Sequence, residues 1–224
     1  NRVYTLAALA ADRPLPEPVL DLGSGAFASG QQRRGTAHLA APATVSATGY
    51  LQLKFVPDSP VASTDLAVMF VETGITQVPF SVTEGSTAMK LAGRDAVTLQ
   101  TGTTAGRMEF TFSDFAPGFA SNPGLTVTVP AAPVAIDTTG ANKAGKQLNV
   151  IVVGYDNTYS AGQMTFRFYN AGGGLIGSAI PVDFRTDFTR YFRETPGGQC
   201  VSHAGGISGD ERGLRCERGS GVYQ

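Results

Sequence analysis

The chain offers few side chains that could carry out chemistry, and the two cysteines are the most informative of them. Cys200 and Cys216 flank a segment rich in glycine and charge near the end of the sequence. A disulfide between them would stabilise that segment by about 3 kcal/mol and would indicate an oxidising compartment. Two alternatives stay open: two free thiols, or a metal site with His203, which lacks the fourth ligand typical of structural zinc. We expect the disulfide and no metal.

The sequence also lacks the residue sets that catalysis requires, so we expect no enzymatic activity and no cofactor. His38 and His203 are the only histidines, and neither lies near a G-x-S-x-G motif that would supply the serine of a triad. Glycoside hydrolysis needs two carboxylates that face one bond. Acidic residues are instead spread singly along the chain, among them Asp58, Asp65, Glu72, Glu84, Asp95 and Glu109.

Three further segments contain ligand-binding residue types without the context that such sites need. The run from Gly23 to Gly30 contains G-x-G, but no strand and helix surround it. We therefore interpret it as a hinge and not as a phosphate site. Asp156 and Asn157 are expected to form a turn, with an incidental calcium ligand as the alternative. Four tyrosines are candidates for an aromatic sugar-binding platform: Tyr155, Tyr159, Tyr169 and Tyr191.

The composition excludes several classes of protein. The 17 Lys and Arg residues and 18 Asp and Glu residues give a net charge of −1. We therefore expect no basic surface for nucleic acid or anionic lipid. No run of about 18 apolar residues is present, so we expect no membrane-spanning segment. The 28 glycines and 13 prolines indicate a chain with many turns.

Apolar residues alternate with polar ones along most of the chain, and this pattern predicts antiparallel β-strands. The alternation is clearest in residues 51–55, 107–112 and 125–129. Two runs, Leu66–Val71 and Leu148–Val153, are apolar on both faces, which predicts central strands. Turn-forming residues bound the runs at short spacing, as in β-sandwiches. The best helix candidate is the short stretch at residues 6–11, which is marginal in length.

The segment Val129–Pro133 breaks the alternation and contains two prolines, so we place a domain boundary there. The predicted fold is all-β, with two tandem antiparallel β-sandwiches. Its four parts are an extended N-terminal arm over residues 1–35, a first sandwich over 36–130, a second over 131–195, and a disulfide-stapled, Gly-rich tail over 196–224. Because the second sandwich is short, we expect it to lack a strand and to leave an open edge or groove.

Strand and turn motifs follow one another in a definite order over roughly residues 45–193. The segments are, in order, Gly49–Pro57, Val78–Val82, Leu99–Gly106, Val152–Thr158, Met164–Phe168 and Ile180–Phe192. This order resembles Ig-like β-sandwich modules of large secreted acidobacterial cell-surface proteins. Arg190 and Tyr191 stand where those modules usually have a Trp-Tyr pair. The resemblance implies tandem Ig-like sandwiches outside the cell and supplies no catalytic residues.

These observations favour an extracellular structural protein whose partners are copies of itself. We expect a subunit of a pilus-like surface filament or layer, in which an arm of one copy adds a donor strand to an open sheet edge of the next. The candidate inter-subunit residues are Val3, Tyr4, Leu6 and Leu9, and a second group of Leu15, Val19, Leu20 and Leu22. For all of them, packing within their own chain is the alternative. The alternative function is an adhesive or carbohydrate-binding module of a larger secreted surface protein, with surface glycans as its partner.

Overall fold

The computed structural model describes residues 14–59, 62, 64–113, 118–145, 147–194, 200–207 and 214–215. Strands account for 50% of the chain and helix for 6%, so the predicted all-β class is confirmed. The chain divides into two compact units between Pro130 and Ala131, and the short stretch that begins at Asp58 groups with the second unit.

The first unit contains two antiparallel sheets. Its strands are β1 (Pro18–Asp21), β2 (Gln32–Leu39), β3 (Ala47–Pro57), β4 (Val68–Phe70), β5 (Gln77–Val82), β6 (Met89–Leu91), β7 (Val97–Thr101), β8 (Gly106–Ser113) and β9 (Leu125–Val129). One sheet has the strand order β1-β2-β7-β4, and the other has the order β6-β5-β3-β8-β9. The edge strands among the described residues are therefore β1 and β4 in the first sheet and β6 and β9 in the second.

The predicted alternation places apolar side chains of both sheets in one core. Leu39 and Leu99 come from the four-stranded sheet, while Leu51 and Phe110 come from the five-stranded sheet, and all four are at most 1% exposed. Because β-strand side chains alternate between faces, each strand buries every second residue and leaves its polar residues outside. Burial of this apolar set is the main force that holds the two sheets together.

The second unit has fewer strands and one helix among its described residues. Its elements are β10 (Ala135–Ala144), β11 (Gln147–Tyr155), β12 (Gln163–Phe166), β13 (Ile180–Asp183), α1 (Arg185–Glu194), β14 (Cys200–Ile207) and β15 (Leu214–Arg215). The strands form a four-stranded sheet of order β10-β11-β14-β15 and a separate β12-β13 pair. No helix in the described part of the chain is long and apolar enough to cross a membrane.

Helix α1 was not expected within the predicted second sandwich. Phe184, Phe188 and Phe192 recur at intervals of four residues, which places them on one helical face, and each is 2% exposed. They form a small core with Tyr159, whose ring centroid lies 4.5 Å from that of Phe192. Burial of these aromatic side chains on one face therefore favours a helix over a strand at Arg185–Glu194. The expectation of strands alone over residues 131–195 was wrong.

Two of the predicted boundaries also change. The arm predicted over residues 1–35 is shorter, because β1 pairs with β2 from Pro18↔Leu39 to Asp21↔Thr36, within the first unit. Part of the tail predicted over 196–224 is in a sheet, because β14 pairs with β11 from Leu148 to Tyr155. Run Leu148–Val153 is central, as predicted. Run Leu66–Val71 instead contains β4, which lies at the edge of its sheet among the described residues, and Leu66, just before this strand, is 70% exposed.

Candidate functional site

An open groove lies between the edge strands β1 and β9 of the first unit. Pro18, Val19 and Leu20 line it from β1, and Leu125 lines it from β9. The groove has a volume of about 190 Å³, and its lining includes two core side chains, Phe110 and Phe112. Each edge strand pairs on one side only among the described residues. Free backbone groups beside an apolar groove are the features that bind an additional strand.

The turn that precedes β9 fixes one rim of this groove. Asn122 donates a hydrogen bond from its side-chain nitrogen to the carbonyl oxygen of Phe112, at 2.8 Å. Gly124 has a φ of +68°, and a Cβ there would lie 2.8 Å from the carbonyl oxygen of Phe110. Glycine permits both this conformation and this close approach to β8. The rim is therefore held in place by backbone geometry.

The second group of predicted inter-subunit residues packs within its own chain. Leu15 and Leu22 are 0% and 4% exposed and belong to the core of the first unit. Val19 and Leu20 lie in β1 and pair with His38 and Ala37 of β2. These four residues are therefore corrected from an inter-subunit insert to the chain's own first unit, because burial of two leucines anchors the strand there. The other group, Val3, Tyr4, Leu6 and Leu9, lies outside the described residues.

A second open edge lies in the second unit. Strand β10 pairs with β11 on one side only among the described residues, and all ten of its residues are exposed. Its register with β11 shifts between Ile136 and Thr138, which places Asp137 at a β-bulge. A charge and a bulge on an edge strand are features that restrict indiscriminate strand pairing.

The structure describes one end of the predicted disulfide. Cys200 begins β14 and pairs in register with Tyr155, whereas Cys216 lies outside the described residues. The disulfide therefore stays a prediction. No group of three metal-ligating side chains occurs among the described residues. Of the two histidines, His38 is exposed on β2, and for His203 only the backbone, within β14, is described.

The carboxylates considered for catalysis have separate surroundings. Glu72 accepts hydrogen bonds at 2.9 Å from the backbone N–H of Thr98. Glu109 lies 3.5 Å from Lys54, and Lys90 lies 2.6 Å from Asp95 and lowers the pKa of that carboxyl through a hydrogen bond and its charge. Asp58 and Glu84 are exposed. These contacts bind the carboxylates to strands and turns of the first unit or to solvent, and none of them pairs two carboxylates.

Asp65 is buried and organises the turn between β7 and β8. One carboxylate oxygen accepts hydrogen bonds from Thr103 N at 2.6 Å, Thr103 Oγ1 at 2.8 Å and Thr104 N at 2.8 Å. The other accepts one from Ala67 N at 2.9 Å. Gly102, with a φ of +68°, lies so close that a Cβ would be 2.8 Å from this carboxylate. Asp65 therefore has a structural role.

Asp156 plays the same part in the second unit. It is 3% exposed, and its two carboxylate oxygens accept hydrogen bonds from Thr158, from Ser160 N at 2.7 Å and from Ala161 N at 2.6 Å. Asn157 accepts one from Ala132 N at 2.9 Å. The predicted turn is present, and its carboxylate is occupied by donors of its own loop, which leaves little coordination capacity for calcium.

The Gly-rich run predicted to be a hinge is a tethered loop between β1 and β2. Arg33 donates to the carbonyl oxygens of Ser24, at 2.9 Å, and Ala26. Its guanidinium also lies 4.8 Å from the ring centroid of Phe27, in a cation–π contact. One side chain thus holds three positions of this loop, which argues against a hinge at that point.

The four tyrosines do not form an exposed platform. Tyr159 is 7% exposed in the aromatic core, Tyr191 packs against Phe192 at 5.6 Å between centroids, and Tyr155 is half-buried. Tyr169 is 58% exposed. Because a sugar platform needs several exposed rings on one face, this arrangement does not favour glycan binding through these residues.

Charged residues at the start of α1 were missed by the sequence analysis. Arg185 hydrogen-bonds the carboxylate of Asp183 with its Nε at 3.0 Å and with a second guanidinium nitrogen. The Arg185 backbone N–H donates to the same carboxylate at 3.0 Å. These bonds lower the pKa of Asp183 to about 2. An acidic side chain before the first turn, which stabilises a helix start, was the available signal.

The chain matches no protein-family model, no curated protein and no solved structure.

Proposed function

We propose that this protein is an extracellular structural subunit that assembles into a homopolymer, a surface filament or layer, by β-strand addition between copies. The observation that carries the proposal is the apolar groove between β1 and β9, where two sheet edges, each paired on one side only in the described part of the chain, flank the buried residues Phe110 and Phe112. Main-chain hydrogen bonds along such an edge supply affinity, and apolar side chains that enter the groove supply specificity.

The proposed donor is the N-terminal arm, now confined to residues 1–13. It contains Val3, Tyr4, Leu6 and Leu9, which supply apolar side chains to both faces of an extended strand. In extended form, thirteen residues reach about 40 Å, whereas the five residues of β9 extend about 17 Å. The arm is therefore long enough to leave its own copy and still cover β9 of the next one.

The arm and the groove are different surfaces, so the proposed contact is head-to-tail. A head-to-tail contact that does not close into a ring continues without limit and produces a fibre. The predicted disulfide and the resemblance to cell-surface modules support a location outside the cell. The two tandem units would then form the body of each subunit. An adhesive module is the alternative, but the buried tyrosines give it less support.

The test compares the full-length protein with a variant that lacks residues 1–13. Electron microscopy and sedimentation should show polymers for the full-length protein and soluble subunits for the deletion variant. Because the deletion leaves Leu15, Leu22 and β1 in place, the first unit should keep its fold, which circular dichroism can check. Polymers that persist after the deletion would exclude the arm as donor.

A synthetic peptide of residues 1–13 tests the contact directly, and a charged variant of it provides the matched control. We expect it to bind the deletion variant and to block polymer growth of the full-length protein. The same peptide with Leu6→Asp and Leu9→Asp should do neither, because residues 6 and 9 lie on opposite faces of an extended strand, so whichever face enters the apolar groove would carry a charge. Equal binding of both peptides would contradict insertion beside Phe110 and Phe112. A glycan array tests the adhesive alternative separately.

A further inference from the structure

The edge of β10 carries a charge pattern that the arm contact does not use. Within its ten exposed residues the charged side chains are Asp137 and Lys143, and neither forms an ion pair among the described residues. Asp137 stands three residues before Gly140, and Lys143 stands three residues after it. The strand is therefore electrostatically self-complementary about Gly140.

We infer that β10 pairs antiparallel with β10 of a second copy, around a two-fold axis at Gly140. In that register the regular part of β10 begins at Thr138, and Asp137, the bulge residue just before it, comes close to Lys143 of the other copy, which gives two ion pairs related by symmetry. Thr138 lies opposite Asn142, and Thr139 lies opposite Ala141. A two-fold contact is isologous, so the same patch serves both copies.

The charges select this register over its neighbours. Opposite charges directly across an antiparallel pair stabilise it, and like charges destabilise it. Registers centred on Asp137 or on Lys143 would place like charges face to face. Registers shifted by two residues from Gly140 would place each charge opposite a neutral residue. The charges thus favour the self-complementary register over the others just described.

Gly140 suits the axis of such a contact. Across a two-fold axis the same residue faces its own copy, and glycine carries no side chain that would crowd the identical residue directly opposite it on the same face of the sheet. A Cβ built at Gly140 would meet no atom within 4 Å, so a small side chain is tolerated there in the free chain. On β11 the residue opposite Gly140 is Ile151, which is 41% exposed and would lose further solvent contact in the pair.

Disulfide cross-linking of the full-length protein tests the register. Gly140→Cys should give an oxidised covalent dimer, because residue 140 faces itself across the axis at a spacing that a disulfide can bridge. Thr138→Cys is the control on the same exposed strand, since in this register it lies opposite Asn142 and about 13 Å from its own copy along the strand. We expect cross-linking for Gly140→Cys alone, above the background of the native cysteines. Equal yields for both variants would overturn the inference.

Charge exchange tests the ion pairs in the Gly140→Cys background. Asp137→Lys alone and Lys143→Asp alone should each reduce the cross-linked dimer by about tenfold, because both ion pairs become repulsive contacts. An equimolar mixture of the two variants should recover it as a mixed dimer, identified by mass. Undiminished cross-linking of the single variants, or a mixture that stays monomeric, would overturn the inference.

This contact is independent of the proposed head-to-tail assembly. Deletion of residues 1–13 should abolish polymers and leave the Gly140→Cys cross-link intact, whereas Asp137→Lys should reduce the cross-link about tenfold and leave polymers intact. If both contacts form, the two-fold contact joins head-to-tail fibres in pairs, which gives a double filament.

Discussion

Removal of the Asp65 carboxylate is expected to destabilise the first unit strongly. Asp65 is 2% exposed and accepts four hydrogen bonds, three of them on one oxygen. The donors come from Ala67, Thr103 and Thr104, so one side chain joins the segment before β4 to the turn between β7 and β8. In Asp65→Ala the donors at Thr103 and Thr104 would lose this acceptor.

The magnitude follows from burial and charge. A hydrogen bond to a charged group contributes about 1.5–3 kcal/mol, and a buried donor left unsatisfied costs about 1–3 kcal/mol. Thr104 is 0% exposed, so water cannot replace the carboxylate at its N–H without a structural change. We expect Asp65→Ala to lower the free energy of unfolding by about 3–5 kcal/mol and Asp65→Asn by about 2–3 kcal/mol. Asparagine costs less because it keeps one acceptor oxygen, although its NH₂ group must face a donor.

Chemical denaturation followed by circular dichroism measures these differences. Glu84→Gln is the matched control, because Glu84 is an exposed carboxylate of the same unit and should change stability by less than about 0.5 kcal/mol. Asp65→Ala or Asp65→Asn values as small as that of the control would refute the reasoning, since they would mean that the turn does not depend on the carboxylate.

Three further predictions concern single residues. Arg185→Gln should raise the pKa of Asp183 from about 2 toward its ordinary value, measured by NMR titration. Because the folded-state pKa of Asp183 is depressed, its stabilising contribution is present above pH 4 and is lost as the pH falls from about 4 to about 2. Arg185→Gln should reduce this contribution, and an unchanged pKa would contradict the role of Arg185 in lowering it. Gly102→Ala should lower stability by about 2–4 kcal/mol in chemical denaturation, because the backbone φ is +68° and the added Cβ would clash with a Val68 methyl group. A neutral effect would contradict the constraint on this turn. Phe188→Ala should cost the second unit about 3–5 kcal/mol and leave the first unit's transition unchanged, as two-phase unfolding would show; a single shared shift would contradict separate cores.

The sequence predicted the strands well where one face is apolar and the other polar. Residues 51–55, 107–112 and 125–129 lie in β3, β8 and β9, because alternation is a local property of a strand. Run Leu66–Val71 misled because its apolar residues suggested burial on both faces, whereas Leu66 is exposed at an edge. Whether a strand lies at the edge or in the centre of its sheet depends on pairing with strands that are distant in sequence, and no local pattern contains that information.

The sequence contains a signal for helix α1, but the strand pattern that precedes it obscured this signal. Phe184, Phe188 and Phe192 have the helical spacing of four residues, but they directly follow the alternating run that forms β13. The change of period from two to nearly four at Asp183 marks the boundary, and the hydrogen bonds of Asp183 to the first turn stabilise it there. A prediction that carried the strand pattern past residue 184 therefore missed the helix.

The groove and the open edge of β10 could not be recognised from the sequence alone, for different reasons. The groove depends on β1 and β9 lying at the edges of two sheets, although about a hundred residues separate them. The self-complementary charges of β10 are visible in the sequence, but their meaning depends on the finding that β10 is paired on one side only. Sequence patterns thus indicated which strands form, and the pairing order determined which of their edges stay open.

Among the described residues, the second unit leaves more large apolar side chains exposed than the first, and this difference predicts which unit association would stabilise more. Large apolar side chains that remain exposed in the second unit are Val134, Ile136, Ile151, Tyr169, Leu175, Ile176 and Ile180, whereas the first unit exposes Tyr50, Leu66, Val71 and Ile75. In the part of the second unit whose side chains are described, the buried aromatic core contains four side chains, among them Phe184 and Phe188. A contact that covers β10 would also lie beside Ile136 and Ile151, so it would add burial to the unit whose described core is the smaller. Association through β10 would therefore stabilise the second unit more than the first.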